Sequence, residues 1–176
     1  MKKHILLATC IAAITAAAPV TAADKPSSTL RILERHHIKT GGLCGLSVEK
    51  TFHYNGASYV LYSSEGDFSP EGRRSHKNCN TGSGTFAFNL AEIRNNRVTN
   101  GNLFSGTDIN TRFLDVKSVQ LNGAILTFKN NEFGKNPKTG DYDPNCCAAD
   151  MYLNRFDLKT SRMLQRRFIG RDKSYD

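Results

Sequence analysis

Residues 46–63, LSVEKTFHYNGASYVLYS, decide the fold. Two runs rich in Val, Phe, Tyr and Thr flank Asn55-Gly56. An Asn-Gly pair suits a type I′ turn, because both central residues of that turn need positive φ. Residues 46–54 and 57–63 are therefore expected to pair as an antiparallel hairpin.

The same grammar recurs downstream. Asn122-Gly123 separates residues 112–121 from 124–129, and Asn95-Asn96 separates the alternating Phe86, Phe88 and Leu90 from Arg97, Val98 and Thr99. Lys159-Thr160-Ser161 lies between two further runs, 151–158 and 163–169. A third Asn-Gly pair, Asn100-Gly101, lacks such flanks. Helical patterns of 10 to 15 residues do not alternate with these strands, so the chain reads as mainly β: an antiparallel meander closed into a sandwich or an open barrel. Phe86, Phe88, Leu90, Val116, Val119, Leu126 and Phe128 are the expected core.

Upstream the pattern is different. Residues 30–38 read as at most one short N-terminal helix, with Ser28 as candidate N-cap and Gly41-Gly42 beyond the end. Leu30 and Ile32 alternate equally well as an edge strand. His36 and His37, next to Arg35, are assigned to a solvated face.

Residues 1–23 carry the signature of a signal peptide: Lys2 and Lys3, an apolar run, then small residues before Asp24. The apolar run is too short and Ala-rich for a membrane helix, and no later stretch reaches the roughly 18 apolar residues needed to span a bilayer. Leu7-Ala8-Thr9-Cys10 is a poor lipidation signal. The expected organisation is a leader over 1–23, a linker with a short helix over 24–42 and a single disulfide-tied domain over 43–176, periplasmic or secreted. Loss of Lys2 and Lys3 lowers the formal charge from +8 to +6. A basic exported chain favours anionic encounters, here an acidic protein or an anionic envelope component. The basic residues form no dense arm, which argues against nucleic acid.

The mature chain keeps Cys44, Cys79, Cys146 and Cys147, an even number that suits two disulfides in an oxidising compartment. Neighbouring Cα atoms lie about 3.8 Å apart, below the usual disulfide range. Cys44 and Cys79 are therefore each expected to bond one member of the adjacent pair, with a strained vicinal Cys146–Cys147 bond as the alternative.

Two long connections, 65–83 and 130–145, interrupt the meander. The first holds the densest polar group, Glu65, Asp67, Glu71, Arg73, Arg74 and His76, of which Glu65, Asp67, Arg73, Arg74 and His76 are the candidate binding residues. The second holds Asp141-x-Asp143-x-Asn145, which starts like a calcium loop but lacks the Gly and the late Glu. No nucleophile elbow, metal helix, phosphate loop or cofactor motif is present, so no metal or cofactor is expected. The leading expectation is an envelope binding or inhibitor-type module that presents disulfide-pinned loops. The alternatives are a hydrolase using His76 or His53 with Asp141 or Asp143, and a surface protein that holds anionic lipid or glycan through Arg162, Arg166, Arg167, Arg171 and Lys173.

Overall fold

The computed structural model describes residues 27–40, 42–68, 79–81, 85–144 and 146–172. The leader, Arg73, Arg74, His76, Asn145 and Lys173 lie outside these residues. The fold is mainly β, with antiparallel sheets and one short N-terminal helix.

The helix, α1 (Ser28–Thr40), is capped one residue earlier than expected: Ser27 Oγ accepts from the Leu30 amide at 3.3 Å. Its end closes through the Gly42 amide, which donates to His37 O at 2.9 Å across five residues, as in a Schellman ending. Leu33 and His37, four apart, share the buried face.

Beneath the helix lies a four-stranded sheet of β2 (Ser47–Tyr54), β3 (Ala57–Ser64), β6 (Ala87–Arg94) and β7 (Arg97–Asn100), in that order. The opening hairpin forms as read: Tyr54 pairs with Ala57, and Asn55 and Gly56 take φ of 47° and 71°. Asn95 and Asn96 do the same at 49° and 58°. The second sheet orders β11 (Arg162–Arg171), β10 (Asp150–Asp157), β9 (Ile125–Glu132) and β8 (Leu114–Asn122). The Asn122-Gly123 hairpin differs in detail. Asn122 pairs with Ile125, so Gly123 and Ala124 are the central residues, and of Asn122, Gly123 and Ala124 only Gly123 has positive φ. That pattern, with Gly first, is the type II′ solution.

β3 explains the layering, since it is buried along both faces. Ala57, Tyr59 and Leu61 join Leu90, Leu126, Phe128 and Phe156 in the core between the two sheets. Val60 and Tyr62 point the other way, against Leu33, Ala91 and Ile93. The order of layers is thus helix, sheet, sheet. Phe104 sits 5.3 Å from Phe128 and 5.5 Å from Phe156, ring centre to ring centre. Of the expected core, Leu90, Val119, Leu126 and Phe128 are fully buried. Phe86, Phe88 and Val116 are only half-buried: Phe88 and Val116 pack at the margin of the intersheet core, and Phe86 precedes β6.

Polar side chains brace the two sheets from within. Asn102 Nδ2 donates to Asn89 Oδ1 and Asn102 Oδ1 accepts from the Leu90 and Phe104 amides, which holds the chain after β7 against β6. On the other sheet Asn154 Nδ2 donates to Asn130 Oδ1 at 2.7 Å, and Asn130 Nδ2 donates to Glu132 at 2.6 Å.

The disulfides differ from expectation. Cys44 bonds Cys79, and Cys146 bonds Cys147. The reason is a small third sheet of β1 (Leu43–Cys44), β4 (Gly66–Phe68) and β5 (Cys79–Thr81), with β4 in the centre. β4 pairs antiparallel with both neighbours: Cys44 faces Gly66, and Phe68 faces Cys79. Cys79 is thereby returned to Cys44, while Cys146 and Cys147 precede β10 of another sheet.

Candidate functional site: a cationic cleft beside the helix

On α1, Ile32, Arg35, His36 and Lys39 follow the spacing i, i+3, i+4, i+7, which places them on one face. Leu33 and His37 turn the adjacent face into the core, so the first stripe flanks the β6–β7 hairpin. There the tight Asn95-Asn96 turn delivers Asn96, Arg97 and Val98. The two groups line a cleft of about 580 Å³.

Ile32 and Val98 form its apolar floor, packed against the core beneath the helix. Arg35, Lys39 and Arg97 supply three positive charges, and no carboxylate is among the described residues that line the cleft. Arg35 is preorganised, since its Nε donates to Arg31 O at 3.2 Å. His36 is partly enclosed, and burial lowers its pKa below the ordinary histidine value. Its ring closely approaches Gly101: a Cβ on that residue would stand 2.9 Å from His36 Nε2. The cleft therefore offers three cationic donors, an imidazole and an amide above an apolar floor. Such a set recognises an anionic group attached to a less polar body.

His37 is not solvated as expected but buried and fully bonded. Nδ1 accepts from the Leu43 amide at 3.2 Å, so Nε2 carries the proton and donates to Tyr62 Oη at 3.0 Å. Tyr62 in turn donates to Gly101 O at 2.7 Å. This chain fixes the helix, β1 and the segment after β7 relative to one another, and it sets the walls of the cleft.

The loop residues singled out from sequence are only partly placed. Glu65 and Asp67 are both exposed, Glu65 just before β4 and Asp67 within it, in the sheet that carries Cys44–Cys79. The Glu65 backbone is tied at both polar groups, by Cys44 O at 3.1 Å and by Thr85 Oγ1 at 2.6 Å. Arg73, Arg74 and His76 belong to the residues left undescribed.

His53 is exposed on β2, and its Nδ1 lies 3.1 Å from Ser58 Oγ on the facing strand. Asp143 has a different role from the acid of a catalytic pair. Its carboxylate accepts from the Gly134 and Ala149 amides and pairs with Arg171, which also reaches Asp150 at 2.9 Å. The Arg171 guanidinium, followed by those amides, holds its pKa down to about 2 against the burial that opposes it. Asp143 thus ties Gly134, Ala149 and Arg171 together, and the described residues contain no group of three or more His, Cys, Asp or Glu able to hold a metal ion.

A second hollow, of about 450 Å³, has mixed charge: Asp108, Thr107 and Ser161 meet Arg162 and Arg166. Arg35, His36, Lys39 and Arg97 are the residues that sequence reasoning missed as a group. Their helical spacing was readable, but the approach of Arg97 depends on β7 lying alongside the helix. No helix among the described residues is long and apolar enough to cross a membrane. In comparisons with protein-family models, with curated proteins and with solved structures, nothing matches this chain.

Proposed function

We propose that this protein is an extracytoplasmic binding module that holds an anionic group of its partner in the cleft between α1 and β7. The observation that carries the reading is the lining itself, with Arg35, Lys39 and Arg97 converging and no carboxylate among them. The leader-like residues 1–23 and the two disulfides support an exported, oxidised chain. Binding is favoured over turnover because, among the described lining residues, His36 is the one general-base candidate and no carboxylate stands with it to orient it or raise its pKa. Glu65 and Asp67, exposed beside the sheet that holds the Cys44–Cys79 bond, are a second contact point in this reading.

Phenyl phosphate, which joins an anion to an apolar ring, tests the cleft by calorimetric titration against anilinium, which reverses the charge. Phenyl phosphate is expected to bind and to weaken as salt rises. R35Q/R97Q should reduce its affinity by about tenfold or more, because each lost charge-assisted bond contributes roughly 1.5 to 3 kcal/mol. Equal binding of anilinium, or an unaltered affinity in the folded variant, would overturn the proposal.

A further inference from the structure

β11 ends its sheet, and no described strand pairs with its outer edge. Along Arg162 to Gly170 this edge presents backbone donors and acceptors that no described strand takes up, a template for another strand. Natural edges are blunted by charge and bulges, and β11 has both: the β10–β11 register shifts between Met151 and Tyr152 and again between Arg155 and Phe156. Between the shifts, however, lies a regular stretch in which Gln165, Arg166, Arg167 and Phe168 pair in unbroken register with Arg155, Asn154, Leu153 and Tyr152.

The side chains of this strand are one-sided in charge. RMLQRRFIGR contains Arg162, Arg166, Arg167 and Arg171 and no acid, and Arg171 is engaged by Asp143 and Asp150. Arg166 is partly spent, with Nη2 3.0 Å from Glu132 and its guanidinium 4.4 Å above the Tyr152 ring. Arg162 and Arg167 are exposed and make no ion pair among the described residues. Beside them Leu164 and Phe168 are 54% and 51% exposed, two of the four large exposed hydrophobics among the described residues. Blunting alone does not call for those two side chains. A surface that combines strand edge, apolar contacts and positive charge does.

We propose that the edge of β11 around Gln165 to Phe168 accepts an extended acidic peptide as an added antiparallel or parallel strand. Main-chain bonds to the regular stretch would supply affinity, and Leu164, Phe168, Arg162 and Arg167 would select alternating apolar and acidic side chains. The same charges oppose pairing with a second copy of this chain, where Arg would face Arg. An acidic strand is therefore the occupant that fits.

Fluorescence anisotropy with labelled Glu-Val-Glu-Val-Glu-Val, capped at the C-terminus, tests this at low salt. Binding is expected, with about a tenfold loss on two changes: N-methylation of alternate peptide nitrogens, which keeps charge but removes donors, and R162E/R167E in the protein, with folding checked by circular dichroism. R35Q/R97Q should bind the peptide as the parent does, which separates this edge from the cleft. Equal binding of the N-methylated peptide would reduce the contact to charge adsorption and sink the proposal. So would binding that survives R162E/R167E, binding that vanishes in R35Q/R97Q, or sedimentation showing dimers joined through β11.

Discussion

His37 Nε2 lies 3.0 Å from Tyr62 Oη, and this single bond ties the helix to the strand at the heart of the molecule. It works only while the imidazole is neutral, because Nδ1 must accept from the Leu43 amide. Burial first, and then the neighbouring His36, lowers the His37 pKa to about 4.

A pH dependence follows from this geometry. The folded value of about 4 is below the ordinary 6.5, so the unfolded chain takes up the proton first as acid is added. The site's stabilisation is complete above pH 6.5 and is lost as pH falls towards 4, up to roughly 3 kcal/mol. Urea unfolding at pH 7.5 and 4.5 should show the loss, and H37Q should flatten that part of the difference. An identical pH difference in H37Q would show that the acid sensitivity arises elsewhere.

Asp143 acts lower on the pH scale. With its pKa held at about 2 instead of 3.8, it stabilises the fold above 3.8 and loses that contribution as pH drops through the interval to 2. Its side chain is 3% exposed and that of Arg171 is 11% exposed. R171Q leaves a nearly buried carboxylate without its cation and should cost roughly 3 to 5 kcal/mol at neutral pH. Acid unfolding should begin at higher pH in that variant, and an unchanged acid midpoint would contradict the role given to the pair.

The hairpins were legible in the sequence because their turns are local chemistry. Asn55-Gly56 and Asn95-Asn96 need only their own φ values, and the alternation around them shows which side chains share a face. The Cys44–Cys79 pairing was not legible, since β4 and β5 are three residues each and carry no period that marks them as strands. His37 was misread for a related reason: helical spacing reveals a stripe but not which stripe meets a sheet. The cleft shares that limit, as Arg35 and Arg97 are brought together by packing between distant elements.

The core has a graded consequence. Phe128 is fully buried between the sheets and touches Phe104, whereas Phe88 packs half-buried at the margin. F128A should destabilise by about 3 to 5 kcal/mol, and F88A by roughly half as much, because its site is already partly wet. Chemical denaturation of both variants checks the order. A larger loss in F88A would mean that the intersheet core lies elsewhere.

The two disulfides should contribute very unequally. Cys44–Cys79 spans 35 residues, and in the chain-entropy model a loop of that size is worth about 4 kcal/mol. Cys146–Cys147 joins neighbours and restrains nothing beyond its own ring. C44S/C79S should therefore lower the denaturation midpoint strongly, while C146S/C147S should leave it nearly unchanged. Non-reducing peptide mapping makes the connectivity itself visible: a crosslink between the Cys44 and Cys79 peptides, and one peptide holding both Cys146 and Cys147 that is two hydrogens lighter than its reduced form. A crosslink from Cys44 to either member of the adjacent pair would contradict the three-stranded sheet, in which β4 brings Cys79 to Cys44 at the end of β1.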